Sequence, residues 1–167
     1  RIETTDTGVL VTPTLSFDER GHQVNHMTYY CVGWSGNGEK PVDFYPTAED
    51  FVGEGGNFER PYAIVKNAEG VKAGTKIEGL EAVGGLHFSE ITLEPEEECS
   101  YLIFTGITED IQEIRNLSKT YTTREKVLEE LEKTKAYWQE KVNVAYHTGD
   151  SDFNQFMHWV SFQPILR

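Results

Sequence analysis

The stretch FVGEGGNFERP, Phe51 to Pro61, gathers residue types that can do recognisable chemistry. Its aromatic rings offer flat apolar faces, and Arg60 offers the forked donors of a guanidinium. Gly53, Gly55 and Gly56 let the backbone take up positive φ or come close to a ligand. A ring to stack on and forked donors for hydroxyls are what a sugar-contacting surface needs. Phe51, Gly55, Gly56 and Arg60 are therefore the candidate substrate-binding residues. A phosphate loop is a poorer match, because no Lys-Ser/Thr follows the glycines and no helix is expected to open behind them. On composition alone, a long connecting loop of a β-sandwich is the plainer reading.

The other residues able to do chemistry read as structural. His22 and His26 share one side of a possible strand, which supplies two donors and leaves a third to come from anywhere. His147, Asp150 and Asp152 could form a metal loop, yet the same stretch works as a turn and a helix cap. No CxxC or HExxH spacing occurs, so no metal ligand is assigned. Glu94 to Glu98 reads as a solvated turn before a strand, and Asn116 is a formal glycosylation sequon set inside a predicted helix. Cys31 and Cys99 lie in strand-like runs and are expected to be two buried free thiols.

The elements that must position these residues change character along the chain. Up to about residue 105 the apolar period is mostly two. VLVTPTLSF puts Val9, Val11, Leu15 and Phe17 on one face, with Pro13 marking an edge strand or a bulge. QVNHMTYYCVGW is a long aromatic strand ending at the turn-rich SGNGEKP, and YAIVKN, GTKIEG, LHFSEITL and CSYLIFTG follow as further strands. Six or seven short strands of this kind predict an antiparallel sandwich or barrel. From TEDIQEIRNLSKTY onward the period becomes helical, with Thr108 as the expected N-cap and Ile111, Ile114 and Leu117 on one side. In TTREKVLEELEKTKAYWQEKV, Thr122 and Glu125 have capping-box spacing. Val127, Leu131, Thr134, Trp138 and Val142 form a narrow stripe there, and Glu129 and Lys133 form an i,i+4 pair on a charged surface helix.

The chain closes on SDFNQFMHWVSFQPILR, with Ser151 as the expected N-cap. Apolar side chains fall on nearly every face of this helix, which predicts burial on every side. Burying a large apolar side chain contributes roughly 1.5–3 kcal/mol, so a helix of this composition left bare should aggregate unless something covers it. The opening RIETTDTG has no Met and no signal-peptide pattern, and both ends read as cut. A net charge of −13, from 28 Asp+Glu against 15 Lys+Arg, argues against nucleic acid and against anionic membrane. No apolar run approaches the ~18 residues of a membrane span, and the expected location is cytoplasmic.

Taken in order, these motifs resemble one family. FVGEGGNFERP followed by YAIVKN, then GGLHFSEITLEPEEECSYLIFTGITED, a helix bearing Trp138, and DSDFNQFMHWVSFQPILR is similar to the glycoside phosphorylases typified by cellobiose phosphorylase. That family is glycoside hydrolase family 94, formerly glycosyltransferase family 36. The resemblance covers nearly the whole chain and implies mainly β with α: part of an antiparallel β-sandwich over 1–106, linker helices over 107–147, and from 148 to 167 the first helix of a truncated (α/α)6 barrel. Other barrel helices would then surround the apolar closing helix.

The resemblance implies an inverting phosphorolysis of β-linked gluco-oligosaccharides, in which phosphate takes the place of the activated water of an inverting hydrolase. One carboxylic acid suffices, no cofactor is needed, and inorganic phosphate is a co-substrate. In the family that acid, the phosphate site and an Arg-Asp sugar-binding motif lie in the barrel, so no catalytic residue is assigned here. The family's dimers bring the loop corresponding to Phe51–Pro61 toward the neighbouring subunit's active site, which implies a homodimer. Cellobiose-type members carry a basic residue in mid-loop where this chain has Gly55-Gly56, pointing as readily to another β-glucan linkage. The family's Pro-Gly-Glu turn reads Pro95-Glu96-Glu97 here. The alternatives are a stand-alone carbohydrate-binding sandwich and a dimerisation scaffold without sugar contact.

Overall fold

A computed structural model describes residues 1–14, 25–121 and 123–164. It divides into two compact units, Arg1–Arg124 and Glu125–Arg167. All seven described strands lie in the first unit. Strands β1 (Ile2–Thr4), β2 (Gly8–Val11), β3 (Thr28–Ser35), β5 (Lys76–Ile77) and β7 (Tyr101–Thr108) form one sheet in the order β5-β1-β2-β3-β7. Strands β4 (Asp43–Thr47) and β6 (Ala82–His87) form a second, two-stranded sheet. Every pairing is antiparallel, and the longest sets Thr28 against Thr108 and Ser35 against Tyr101.

The two sheets face each other where β6 crosses β3. A Cβ added to Gly84 would stand 2.5 Å from the Cβ of Cys31, so this approach excludes any larger residue. Ile2, Val9 and Phe44 are the buried centre of the core, with Val11, Val71, Ile77 and Leu86 packed around them. β4 is buried at all five positions despite Pro46. The proline falls at the irregularity in register between Tyr45 and Thr47, where the ladder does not need its missing N–H.

Helix α3 (Ile111–Thr120) closes the first unit against β3 and β7. Ile114 is its buried residue, Ile111 is exposed and Leu117 half-buried, so the predicted stripe is narrower than its spacing implied. Trp34 Nε1–H donates to the Tyr121 carbonyl just past the helix, and Trp34, Phe104 and Tyr121 stack at 5.3 and 5.6 Å between centroids.

Several expectations are corrected. YAIVKN is not a strand: Tyr62–Lys66 is a short helix, α2, ended by Asn67 in the left-handed region at φ 48°. Pro61 presets its first turn and Asn67 stops it, and those signals outweigh the β-branched residues between them. LHFSEITL is strand only through His87, the end of β6, while β4 and β1 form where no strand was expected. The N-cap of α3 is Asp110, whose side chain accepts from Gln112 N–H at 2.8 Å, while Thr108 Oγ1 accepts from Asp110 N–H at 3.0 Å. Cys99 is exposed and lies outside any strand, and Cys31 is half-buried; both are free. Leu15, Phe17, His22 and Thr122, with the expectations resting on them, lie outside the described residues.

Helix α4 (Arg124–Lys141) begins at the boundary and continues through the second unit, with α5 (Ser151–Phe162) following. Lys133 lies 2.8 Å from Glu129, the predicted i,i+4 pair, and 2.6 Å from Glu130. That contact lowers the Glu129 carboxyl and raises the Lys133 ammonium, through the hydrogen bond and then the charge. Trp138 packs on Phe162 at 5.1 Å, joining the two helices. Asp150, one residue before the expected cap, accepts from Asp152 and Phe153 N–H, both at 3.0 Å. Helix α5 has no buried residue: Phe156 is 61% and Trp159 60% exposed. Its apolar faces meet too little of the chain to cover them.

Candidate functional site

The Phe51–Pro61 stretch is held between two short helices, α1 (Ala48–Val52) and α2. Thr47 starts α1. Its hydroxyl accepts from Asp50 N–H at 3.1 Å and donates to the Asp50 carboxylate at 2.6 Å, a reciprocal cap within Thr-x-x-Asp. Gly53 ends α1 at φ 82°, a conformation that a side chain makes costly. The turn continues through Gly56 N–H to Gly53 O at 3.2 Å. The Asn57 side chain then accepts from Glu59 N–H at 3.0 Å and Arg60 N–H at 3.1 Å, turning the chain into α2. Thus a helix does open behind the glycines, contrary to the expectation from the sequence.

The four candidate residues occupy two environments. Gly55, Gly56 and Arg60 line one open cleft of about 660 Å³, together with Glu49, Tyr62 and Lys66. Phe51 is half-buried beneath the turn, where its ring meets Tyr45 at 5.9 Å and Phe58 at 6.3 Å. A second open cleft of about 930 Å³ shares the glycines with the first and includes Asn57, Phe58 and Glu81. The rings open to solvent are Phe58 and Tyr62, at 68% and 51%. Sequence reasoning named neither as a site residue, because Phe51 stood first in the motif and Tyr62 was placed in a strand. The cap Thr47-x-x-Asp50 and the Pro61…Asn67 bracket were the signals for the two helices that flank the turn.

The charge on the clefts is one-sided. Glu49, Asp50, Glu54 and Glu69 line the first against Arg60 and Lys66, and Glu49, Glu54 and Glu81 line the second with no base. Such a lining opposes a free anion and suits a neutral ligand with many hydroxyls. Below the site, Tyr45 OH donates to Ala68 O, and burial followed by the Asp43 charge pushes its phenol up. Asp43 is buried and pairs with His87 across the β4–β6 ladder, Nδ1 to Oδ1 at 2.7 Å. Asp150 and Asp152 sit at the cap of α5, and among the described residues no cluster of three His, Cys, Asp or Glu could hold a metal ion.

An antiparallel β-sandwich carrying short helices, with an aromatic and glycine-rich turn at its surface, is the class these features define. The family model for the supersandwich domain of glycosyl hydrolase 94 matches residues 7–124, and the chain belongs to that family. It is a supersandwich portion of the glycoside phosphorylase family, and its context is carbohydrate metabolism. No curated protein matches the chain. Among the described residues no helix is long and apolar enough to cross a membrane.

Proposed function

We propose that this chain is the sandwich-and-linker portion of an inverting glycoside phosphorylase that transfers a glucosyl unit from a β-linked gluco-oligosaccharide to phosphate. The observation that carries the reading is the supersandwich match over 7–124, which includes the whole Phe51–Pro61 turn. Its acidic clefts are unsuited to phosphate and suited to sugar hydroxyls, so the chain supplies sugar contact while the acid and phosphate site belong to a catalytic barrel. Residues 1–106 are then sandwich, 107–147 linker, and 148–167 the first barrel helix; the bare rings of α5 fit a helix that others surround. The enzyme is a cytoplasmic homodimer needing no cofactor, and the loop, with Phe51, Gly55, Gly56 and Arg60, closes the acceptor side of the neighbouring active site.

Arg60→Ala in the intact protein tests this reading. The acceptor KM is expected to rise several-fold with phosphate KM unchanged, and release of α-glucose 1-phosphate from β-glucans should depend on phosphate. An unchanged acceptor KM would remove sugar contact from the loop. One observation favours the scaffold reading instead: Ile64 and Val65 of α2 are exposed, as residues of a subunit interface are before assembly. Ile64→Asp that splits a dimer while leaving every KM unchanged would decide for assembly.

A further inference from the structure

Each cleft beside the glycine turn holds one exposed ring, Tyr62 in the first and Phe58 in the second. Neither ring hangs free. Phe58 leans on Phe51, which leans on Tyr45. Tyr62 opens α2 and sits so near the turn that a Cβ on Gly53 would stand 2.7 Å from its own Cβ. The tip of the turn is open: a Cβ on Gly55 would meet nothing within 4 Å. Two supported, exposed rings in two clefts that share one bare glycine turn suit a ligand that repeats. The excess of carboxylates in both clefts excludes a polyanion, whereas sugar hydroxyls can donate to those carboxylates and accept from Arg60.

We infer that Phe58 and Tyr62 are two stacking platforms of one oligosaccharide site that straddles Gly55-Gly56, and that they set chain-length preference. The inference rests on the reading that this loop meets a glucan. It assigns specificity to two rings and leaves the bond-breaking chemistry elsewhere.

The test uses the intact protein and linear β-1,3- and β-1,4-linked gluco-oligosaccharides of two and of five sugars, with affinity measured by calorimetry. Wild-type protein is expected to bind the pentasaccharide more tightly than the disaccharide. Phe58→Leu with Tyr62→Leu keeps apolar bulk and removes both flat faces; pentasaccharide affinity should fall about tenfold, equivalent to ~1.4 kcal/mol, with a smaller change for the disaccharide. Tyr62→Phe keeps the ring and should keep the affinity. A double variant with wild-type length dependence overturns the inference, and so does a wild-type protein with no length dependence. Phosphate-dependent release of glucose 1-phosphate from the same sugars is read alongside. Absent release, with length-dependent binding that the double variant loses, would sink the phosphorylase reading and leave the two platforms standing.

Discussion

Glu96 shows what a single residue stores. It lies at φ 69°, in the left-handed region, within the Glu94–Glu98 turn that Glu97 N–H closes onto Glu94 O at 3.0 Å. A side chain costs on the order of 1–2 kcal/mol there, and glycine pays none of it. Glu96→Gly should therefore stabilise the protein by about 1 kcal/mol, less the extra freedom of the unfolded chain, and raise the urea midpoint. A lower midpoint would mean that the Glu96 side chain has a use not visible in its exposed position. The cysteines differ in a comparable way. Cys31 Sγ–H donates to Gly84 O at 3.3 Å, and burial pushes its thiol up, which leaves less of the reactive thiolate. Cys99 is exposed, so iodoacetamide followed by peptide mass spectrometry should find Cys99 modified well before Cys31.

At the scale of elements, the β4–β6 ribbon depends on a polar pair. Asp43 and His87 face each other in the ladder, and the buried carboxylate also has the Lys72 ammonium at 3.7 Å. His87→Ala leaves that carboxylate short of a donor and should cost about 2 kcal/mol in urea unfolding, whereas His87→Gln, which can still donate, should cost less. The start of α1 was written in Thr47 and Asp50, and the start and stop of α2 in Pro61 and Asn67, yet VGEGG and the β-branched YAIVKN carried the reading toward loop and strand. Local propensity was outweighed by caps, which are single residues and easily missed in a count of periods. Strand β4 was hidden for another reason: a strand buried at all five positions has no polar alternation, and its proline argues against it until the register shift beside it is seen.

At the scale of the molecule, the buried side chains are shared unevenly. The core about Ile2, Val9 and Phe44 belongs to Arg1–Arg124, whereas Val142 is the one buried residue among the described positions of Glu125–Arg167. A chain ending at Arg124 should unfold in one cooperative step when heated, since it keeps both sheets and α3. A peptide of residues 151–162 should show little helix by circular dichroism: α5 has 12 residues, and isolated helices of about that length are marginal in water. A strongly helical peptide, or a 1–124 chain with no transition, would contradict this division of stability.

The sequence by itself determined the change to helices after the last strand, the pairing of Glu129 with Lys133, the family, and the turn on which sugar chemistry is proposed, because period, charge spacing and motif order are local and readable along the chain. Only the tertiary structure decided which rings are open. Phe51 and Phe58 are alike as letters, but α1 folds Phe51 onto Tyr45 and the Asn57 turn leaves Phe58 in solvent. Exposure depends on which partners the fold packs against a side chain, and that partner here, Tyr45, sits in a strand that no local pattern announced.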